Sequence, residues 1–149
     1  MRVTVLLVGN AVGFKRKPLV VHNAENPRAM KNLIKRNLPV HYKSNGKAWM
    51  TASLFNDWFL NDFVPEVRRY CTKIGIPFKP LLIIDNAIRH PASLNDRHPD
   101  VDVVFMPPNT TSLIQPMDQG AIASFKKLYL RQAVSHAIFA VDSGDQNYF

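Results

Sequence analysis

The sequence predicts an α/β fold, a mixed sheet flanked by helices, and three observations carry that reading. Short apolar runs rich in β-branched residues recur at positions 3–8, 81–85 and 101–105, as expected of buried strands. Leu54, Phe55, Trp58, Phe59, Phe63, Val67, Tyr70 and Ile74 keep the spacing of a helix with one buried stripe. The interval between the last two apolar runs is long enough for a crossover, so those strands are expected to be parallel and joined right-handedly.

The elements follow in order. Residues 3–8 form a strand, residues 9–13 (Gly-Asn-Ala-Val-Gly) supply a turn, and residues 17–21 resume an extended pattern. Together they make a hairpin whose loop carries Lys15, Arg16 and Lys17. The stretch 23–37 is polar and basic and holds a short helix after Pro27; residues 39–43 form another short strand. Thr51 can cap the long helix with its hydroxyl. Pro65 then falls inside that helix and predicts a kink or a split near Val64, and Gly75 ends it. A short helix at 92–96 lies between the two parallel strands. Residues 107–116 hold three prolines and several turn-formers and are expected to be irregular. A last helix starts near Asp118 or Gln119 and runs through Ile122, Phe125, Leu128, Tyr129, Val134 and Ile138. The domain is expected over 1–142, with 143–149 as a disordered tail.

Size and composition narrow the function. A chain of 149 residues fits one domain with a real core, and 46% hydrophobic residues argue against wholesale disorder. A formal charge of +8 and a pI near 9.9 favour a polyanionic partner, most simply nucleic acid, although a basic solvated surface explains charge equally well. The basic residues are scattered; Lys15, Arg16, Lys17, Lys126 and Lys127 are the candidate phosphate contacts, with salt-sensitive binding as the consequence. A lone cysteine, Cys71, excludes an internal disulfide and is read as packing within the long helix. No signal-peptide pattern or membrane-length apolar run is visible, so a soluble, intracellular chain is expected.

Two aspartates stand out. Asp85 closes the apolar run Leu81-Leu82-Ile83-Ile84, which puts a carboxylate at the C-terminal edge of the parallel pair, where open α/β sheets bind ligands. Asp118 follows the proline-rich stretch at a helix start. Each has an ordinary explanation of equal weight: an Asx-turn for Asp85 and a helix N-cap for Asp118. Taken together on a basic chain, they suggest hard oxygen ligands for Mg²⁺. His90 is close enough in sequence to Asp85 to reach a phosphate or a water. Asp57, Asp62 and Glu66 read as the solvated face of the long helix. The glycines at 9 and 13 do not form a phosphate loop, since no Gly-Lys-Ser/Thr follows. No Cys/His spacing for zinc and no small-molecule site is visible.

These motifs resemble a known family. Leu82-Ile83-Ile84-Asp85-Asn86-Ala87 with His90-Pro91 is similar to the second-aspartate motif of the Tigger/pogo group of DDE transposases. Pro107-Pro108-Asn109-Thr110-Thr111-Ser112 with Gln115-Pro116-Met117-Asp118-Gln119-Gly120 is similar to the third, and 32 residues separate the two aspartates. The hairpin over 2–21, Glu25-Asn26-Pro27-Arg28-Ala29 and Lys47-Ala48-Trp49-Met50-Thr51 resemble the same domain, so the likeness spans nearly the whole chain. Jerky-type proteins and centromere protein B belong to the same circle. The resemblance implies an RNase H-like fold, metal-dependent DNA cleavage and transfer with Mg²⁺ or Mn²⁺, Asp85 and Asp118 as the second and third catalytic carboxylates, DNA as partner, and a nuclear location.

The chain departs from the family pattern in three places. The family's first aspartate lies on a central strand preceding the hairpin, so this chain is expected to lack it, together with an N-terminal helix-turn-helix region. The usual Asp-Asn-Ala-Pro-Gly-His turn reads Asp85-Asn86-Ala87-Ile88-Arg89-His90, without the preset bend of Pro-Gly. Without the central strand, the hairpin and the Asp85 strand either pair directly or leave open edges. Two carboxylates hold at most one weakly bound metal. The expected reading is therefore a catalytically incomplete endonuclease domain that binds DNA. The alternatives are a domesticated non-enzymatic DNA- or chromatin-binding fragment and a decayed transposon remnant.

Overall fold

The first apolar run folds as strand β1 (Val3–Leu6), antiparallel to β2 (Leu19–His22). A further bridge between Gly9 and Lys15 closes the hairpin loop, where Asn10 Oδ1 accepts from the Val12 and Phe14 backbone N–H groups. Strand β3 (His41–Ser44) adds parallel to β2. Between them, the helix expected after Pro27 is reduced to two 3₁₀ turns, Arg28–Met30 and Lys35–Asn37. Asparagines at 32 and 37 compete for local hydrogen bonds, and Pro39 stops any longer helix. The computed structural model describes residues 2–143 and divides into two compact units, Met1–Asn109 and Thr110–Phe149.

In the first unit Thr51 caps α1 (Ala52–Trp58), its hydroxyl accepting from Leu54 N at 3.2 Å. The split expected at Pro65 takes a definite form. A π-helical turn, Phe59–Phe63, precedes α2 (Val64–Ile74), and Val64 N donates to the Phe59 carbonyl five residues back. Pro65 has no N–H, and its ring would crowd the carbonyl of Asn61 in an unbroken α-helix; the wider turn relieves that clash. Gly75 ends α2 in the left-handed conformation, φ 72°, which glycine adopts without a Cβ penalty.

Strands β4 (Leu81–Ile84) and β5 (Asp102–Phe105) are parallel and in register, with a 3₁₀ turn at Ala92–Asp96 in the crossover. The α/β class therefore holds, but the expected single mixed sheet is two: β1-β2-β3 and β4-β5. The hairpin does not pair with β4. The outer edges of β1 and β4 keep their backbone groups outside any ladder. One core spans both sheets: Leu19 and Val21 from β2, Phe55, Trp58, Phe59 and Phe63 from the helix, Leu82 and Ile84 from β4, Leu94, Val101 and Val103. Cys71 is buried in α2, as expected of a packing thiol.

The second unit opens on a correction. Residues 107–116 are not wholly irregular, because α3 (Thr111–Ile114) forms between the prolines that flank it. Nor does the last helix begin at Asp118 or Gln119. Gly120 has φ 103° and Gln119 is non-helical, so α4 starts at Ile122 and ends at Ser143. The Gln119 side chain instead donates to the Ser112 and Leu113 carbonyls at the end of α3. Ser143, assigned to the tail, is the last helical residue and donates to the Phe139 carbonyl; the rest of that tail, 144–149, lies outside the described residues. Among the described residues no helix is long and apolar enough to cross a membrane.

The core makes a direct prediction. Leu94 is fully buried, whereas Leu113 is 74% exposed. Leu94→Ala is expected to cost about 2–5 kcal/mol and Leu113→Ala no more than about 0.5 kcal/mol, read from urea midpoints. Equal shifts would show that the crossover turn is not part of the core.

Candidate metal-binding site

Asp85 follows directly on β4. Leu82 and Ile84 are buried while Leu81 and Ile83 face outward, so the alternation of the strand fixes the backbone that presents the carboxylate. The chain then reverses in a turn closed by His90 N donating to the Ala87 carbonyl at 2.8 Å. Ile88 and Arg89 fill that turn in place of Pro-Gly, and neither needs a positive φ. The turn brings His90 back onto its own strand end: Nδ1 lies 3.0 Å from the Asp85 carbonyl and 2.7 Å from Oδ1. Both are acceptors, so Nδ1 carries a proton. Oδ1 lies off the N–H direction and is a buried oxygen with no hydrogen bond. Phe55 from α1 packs against the imidazole, ring centroids 4.4 Å apart, which locks the histidine in place.

A buried carboxylate oxygen whose one close partner is poorly aligned has capacity left for a cation or a proton. Its chemistry fits a hard divalent ion. One carboxylate is not a site, however, and no group of three His, Cys, Asp or Glu side chains among the described residues is arranged to hold a metal. Asp118 belongs to the second unit, exposed in the turn between α3 and α4. It does not cap α4, because that helix begins beyond Gly120.

The candidate phosphate contacts divide. Lys15, Lys126 and Lys127 are exposed and Lys17 is half-buried. Arg16 is corrected: it points inward and offers nothing to an external phosphate. Its guanidinium pairs with Glu66, donates to the Asp62 carbonyl at 2.9 Å, and lies over Trp58 and Phe63. Asp57, Asp62 and Glu66 accordingly do not form a merely solvated face. His41 sits 3.1 Å from Asp62 and 3.6 Å from Glu66, and Lys43 pairs with Asp57 and Asp62. The hydrophobic stripe predicted the helix, but nothing local in the sequence showed that its opposite face would meet Arg16, His41 and Lys43. A cleft of about 350 Å³ beside this network is lined by Phe14, Glu66, Arg69, Tyr70, Lys73 and Ile74.

With the geometry in hand, the relatives can be placed. The family model described as DDE superfamily endonuclease matches residues 1–148. The chain belongs to the DDE superfamily endonuclease family. It is 38% identical over 136 residues to the human Jerky protein homolog, covering 89% of this chain and 24% of that protein. It is 33% identical to human Tigger transposable element-derived protein 7, over 97% of this chain and 27% of the relative. To CENP-B homolog protein 2 of Schizosaccharomyces pombe it is 30% identical, over 96% and 28%. This DDE-family chain thus spans roughly a quarter of the length of these relatives. No solved structure matches it.

The buried ion network yields a pH prediction. Burial alone would push the Glu66 carboxyl up, but the charge and hydrogen bond of Arg16, the Lys17 backbone and His41 together hold it below the ordinary carboxylate range. Its folded pKa therefore lies below the unfolded value of 4.5, so its contribution is full above that pH and is lost as pH falls through the folded value. Glu66→Gln leaves the Arg16 guanidinium buried without a counter-charge and is expected to cost about 3 kcal/mol at neutral pH. Urea melts across the acid range should also show a flatter pH dependence for the variant. Parallel curves for the two proteins would mean that Glu66 is not the titrating partner.

Proposed function

We propose that this DDE-family segment binds DNA, contributes Asp85 and Asp118 as metal-binding carboxylates, and by itself does not cut the strand. The observation that carries the reading is the Asp85 carboxylate at the end of a core strand, its Oδ1 buried and 2.7 Å from His90 Nδ1. The family match supports a DNA phosphodiester as the substrate class. Mg²⁺ or Mn²⁺ bound by these carboxylates would stabilise charge on the attacking and leaving oxygens, the task that two ions about 3.5–4 Å apart perform in such sites.

The residues of this chain do the positioning. His90 holds the Asp85 backbone through Nδ1, and Phe55 fixes the imidazole plane, so the carboxylate cannot swing freely. Two carboxylates supply too little negative charge and too few anchors for a pair of divalent ions, and no group of three His, Cys, Asp or Glu among the described residues could hold one. At most one weakly held ion would bind to them. A DNA-directed role of this kind belongs in the nucleus.

Three measurements on the 149-residue polypeptide test this. Duplex binding should weaken steeply as salt rises. Mn²⁺ binding, followed by the EPR signal of the free ion, should be weak in the parent and lost in Asp85→Ala and Asp118→Ala. Supercoiled DNA with Mg²⁺ or Mn²⁺ should remain uncut by all three proteins. Metal-dependent nicking abolished in both variants would overturn the claim that the segment does not cut, and a parent without salt-dependent affinity would overturn the claim that it binds DNA. Unchanged Mn²⁺ binding in the variants would remove the carboxylates from the metal site.

A further inference from the structure

Beside the turn that carries His90, three residues far apart in sequence meet. The Arg89 guanidinium lies 4.4 Å from the centroid of the Trp49 ring, and the Arg2 guanidinium lies 5.4 Å from the same ring. Arg2 immediately precedes β1, Trp49 lies in the loop between β3 and α1, and Arg89 lies in the turn after Asp85. All three are exposed, Trp49 at 39%. Among the described residues neither arginine has a carboxylate within ion-pair distance, whereas Arg16, Lys43 and Arg68 all do. We infer that Arg2 and Arg89, held at Trp49, form a phosphate clamp that seats the DNA backbone beside Asp85.

The physical case has three parts. A guanidinium stacked on an indole keeps its in-plane N–H donors free, and those donors match two phosphate oxygens at once. Two guanidiniums at one ring concentrate positive charge that no carboxylate within ion-pair distance offsets, and a phosphate beside them relieves that cost. The backbone that carries the indole is held: Asn45 donates through Nδ2 to the Trp49 carbonyl and accepts from Trp49 N at 3.1 Å. The loop on which the ring sits is pinned to β1 by Thr4 Oγ1 donating to the Ala48 carbonyl at 2.8 Å. Ala48 is fully buried with φ 53°, a left-handed conformation that a non-glycine residue keeps only when its surroundings hold it there. The backbone beneath the ring is therefore fixed, and Arg89 immediately precedes His90 in the turn that follows Asp85. The departure from the family's Pro-Gly turn at Ile88-Arg89 is what supplies the second guanidinium.

The inference rests on the DNA-binding reading, and one experiment separates the two. Affinity of the 149-residue polypeptide for a fluorescein-labelled duplex is measured by anisotropy across a salt series, beside Arg2→Glu, Arg89→Glu, Arg89→Lys and Trp49→Leu, each checked for an unchanged urea midpoint. Each charge reversal should weaken binding about tenfold or more and lower the salt slope by about one. Arg89→Lys keeps the charge but loses the fork and the stacking, and should fall between the parent and Arg89→Glu. Trp49→Leu should weaken binding with the charge count unchanged. A parent that binds with normal salt dependence while both reversals match it overturns the clamp and leaves the DNA-binding reading intact. A parent with no salt-dependent affinity overturns both. A destabilised Trp49→Leu variant is replaced by the reversals at exposed Arg2 and Arg89, which carry the decision alone.

Discussion

A guanidinium taken out of water governs the assembly of the first unit. Arg16 enters from the hairpin loop, its side chain only 3% exposed, and meets Glu66 on α2. Desolvation of such a charge is costly, and burial lowers the Arg16 pKa despite Glu66 and Asp62 acting to raise it. Only a fixed partner in a fixed place makes that burial tolerable. The π-helical turn helps to provide it: it sits where Pro65 prevents regular helix, and Asp62 within it offers its carbonyl to the same guanidinium. The hairpin and the helix are thus locked in one register by a charge that has nowhere else to go. Around it Trp58 and Phe63 supply ring faces, which attract the cation while excluding water.

That lock has consequences at the other end of the helix. Phe55, one turn ahead of Trp58, is buried against the core and against His90. The position of the imidazole, and through it the Asp85 backbone, depends on where α1 sits. A chain of contacts therefore runs from Arg16 through Trp58 and Phe55 to His90, each link a close-packed ring or a hydrogen bond.

Much of this was legible before any coordinates. Residues whose structure depends on local chemistry were read well: the Thr51 cap, the Gly75 stop, the break at Pro65 and the alternation of Leu81 to Ile84. The family motifs around Asp85 and Asp118 were legible for the same reason, being contiguous. What escaped is what depends on distant pairing. Glu66 looks solvated on a helical wheel because its partner Arg16 is 50 residues away. Arg2, Trp49 and Arg89 have no shared pattern at all. The start of α4 was misplaced because Asp118 and Gln119 favour helix starts, while the positive φ of Gly120 is decided by the turn. The single expected sheet failed for a different reason: pairing between β1 and β4 is a question of which strands are available, and strand composition says nothing about it.

The distribution of charge sharpens the case for a polyanion. A net charge of +8 could have been spent on internal ion pairs, but the pairs that form do not spend it. Arg16, Lys43 and Arg68 are matched by Glu66, Asp57, Asp62 and Asp100, so pairing removes acids from the surface at least as fast as it removes bases. Lys15, Arg69, Lys73, Arg89, Lys126 and Lys127 are left exposed with no carboxylate partner among the described residues. Exposed like charges repel one another, and a polyanion bound at such a surface would offset that repulsion. The basic surplus is then a property of the surface, and the turn after Asp85 is one of the places where it stands beside a carboxylate.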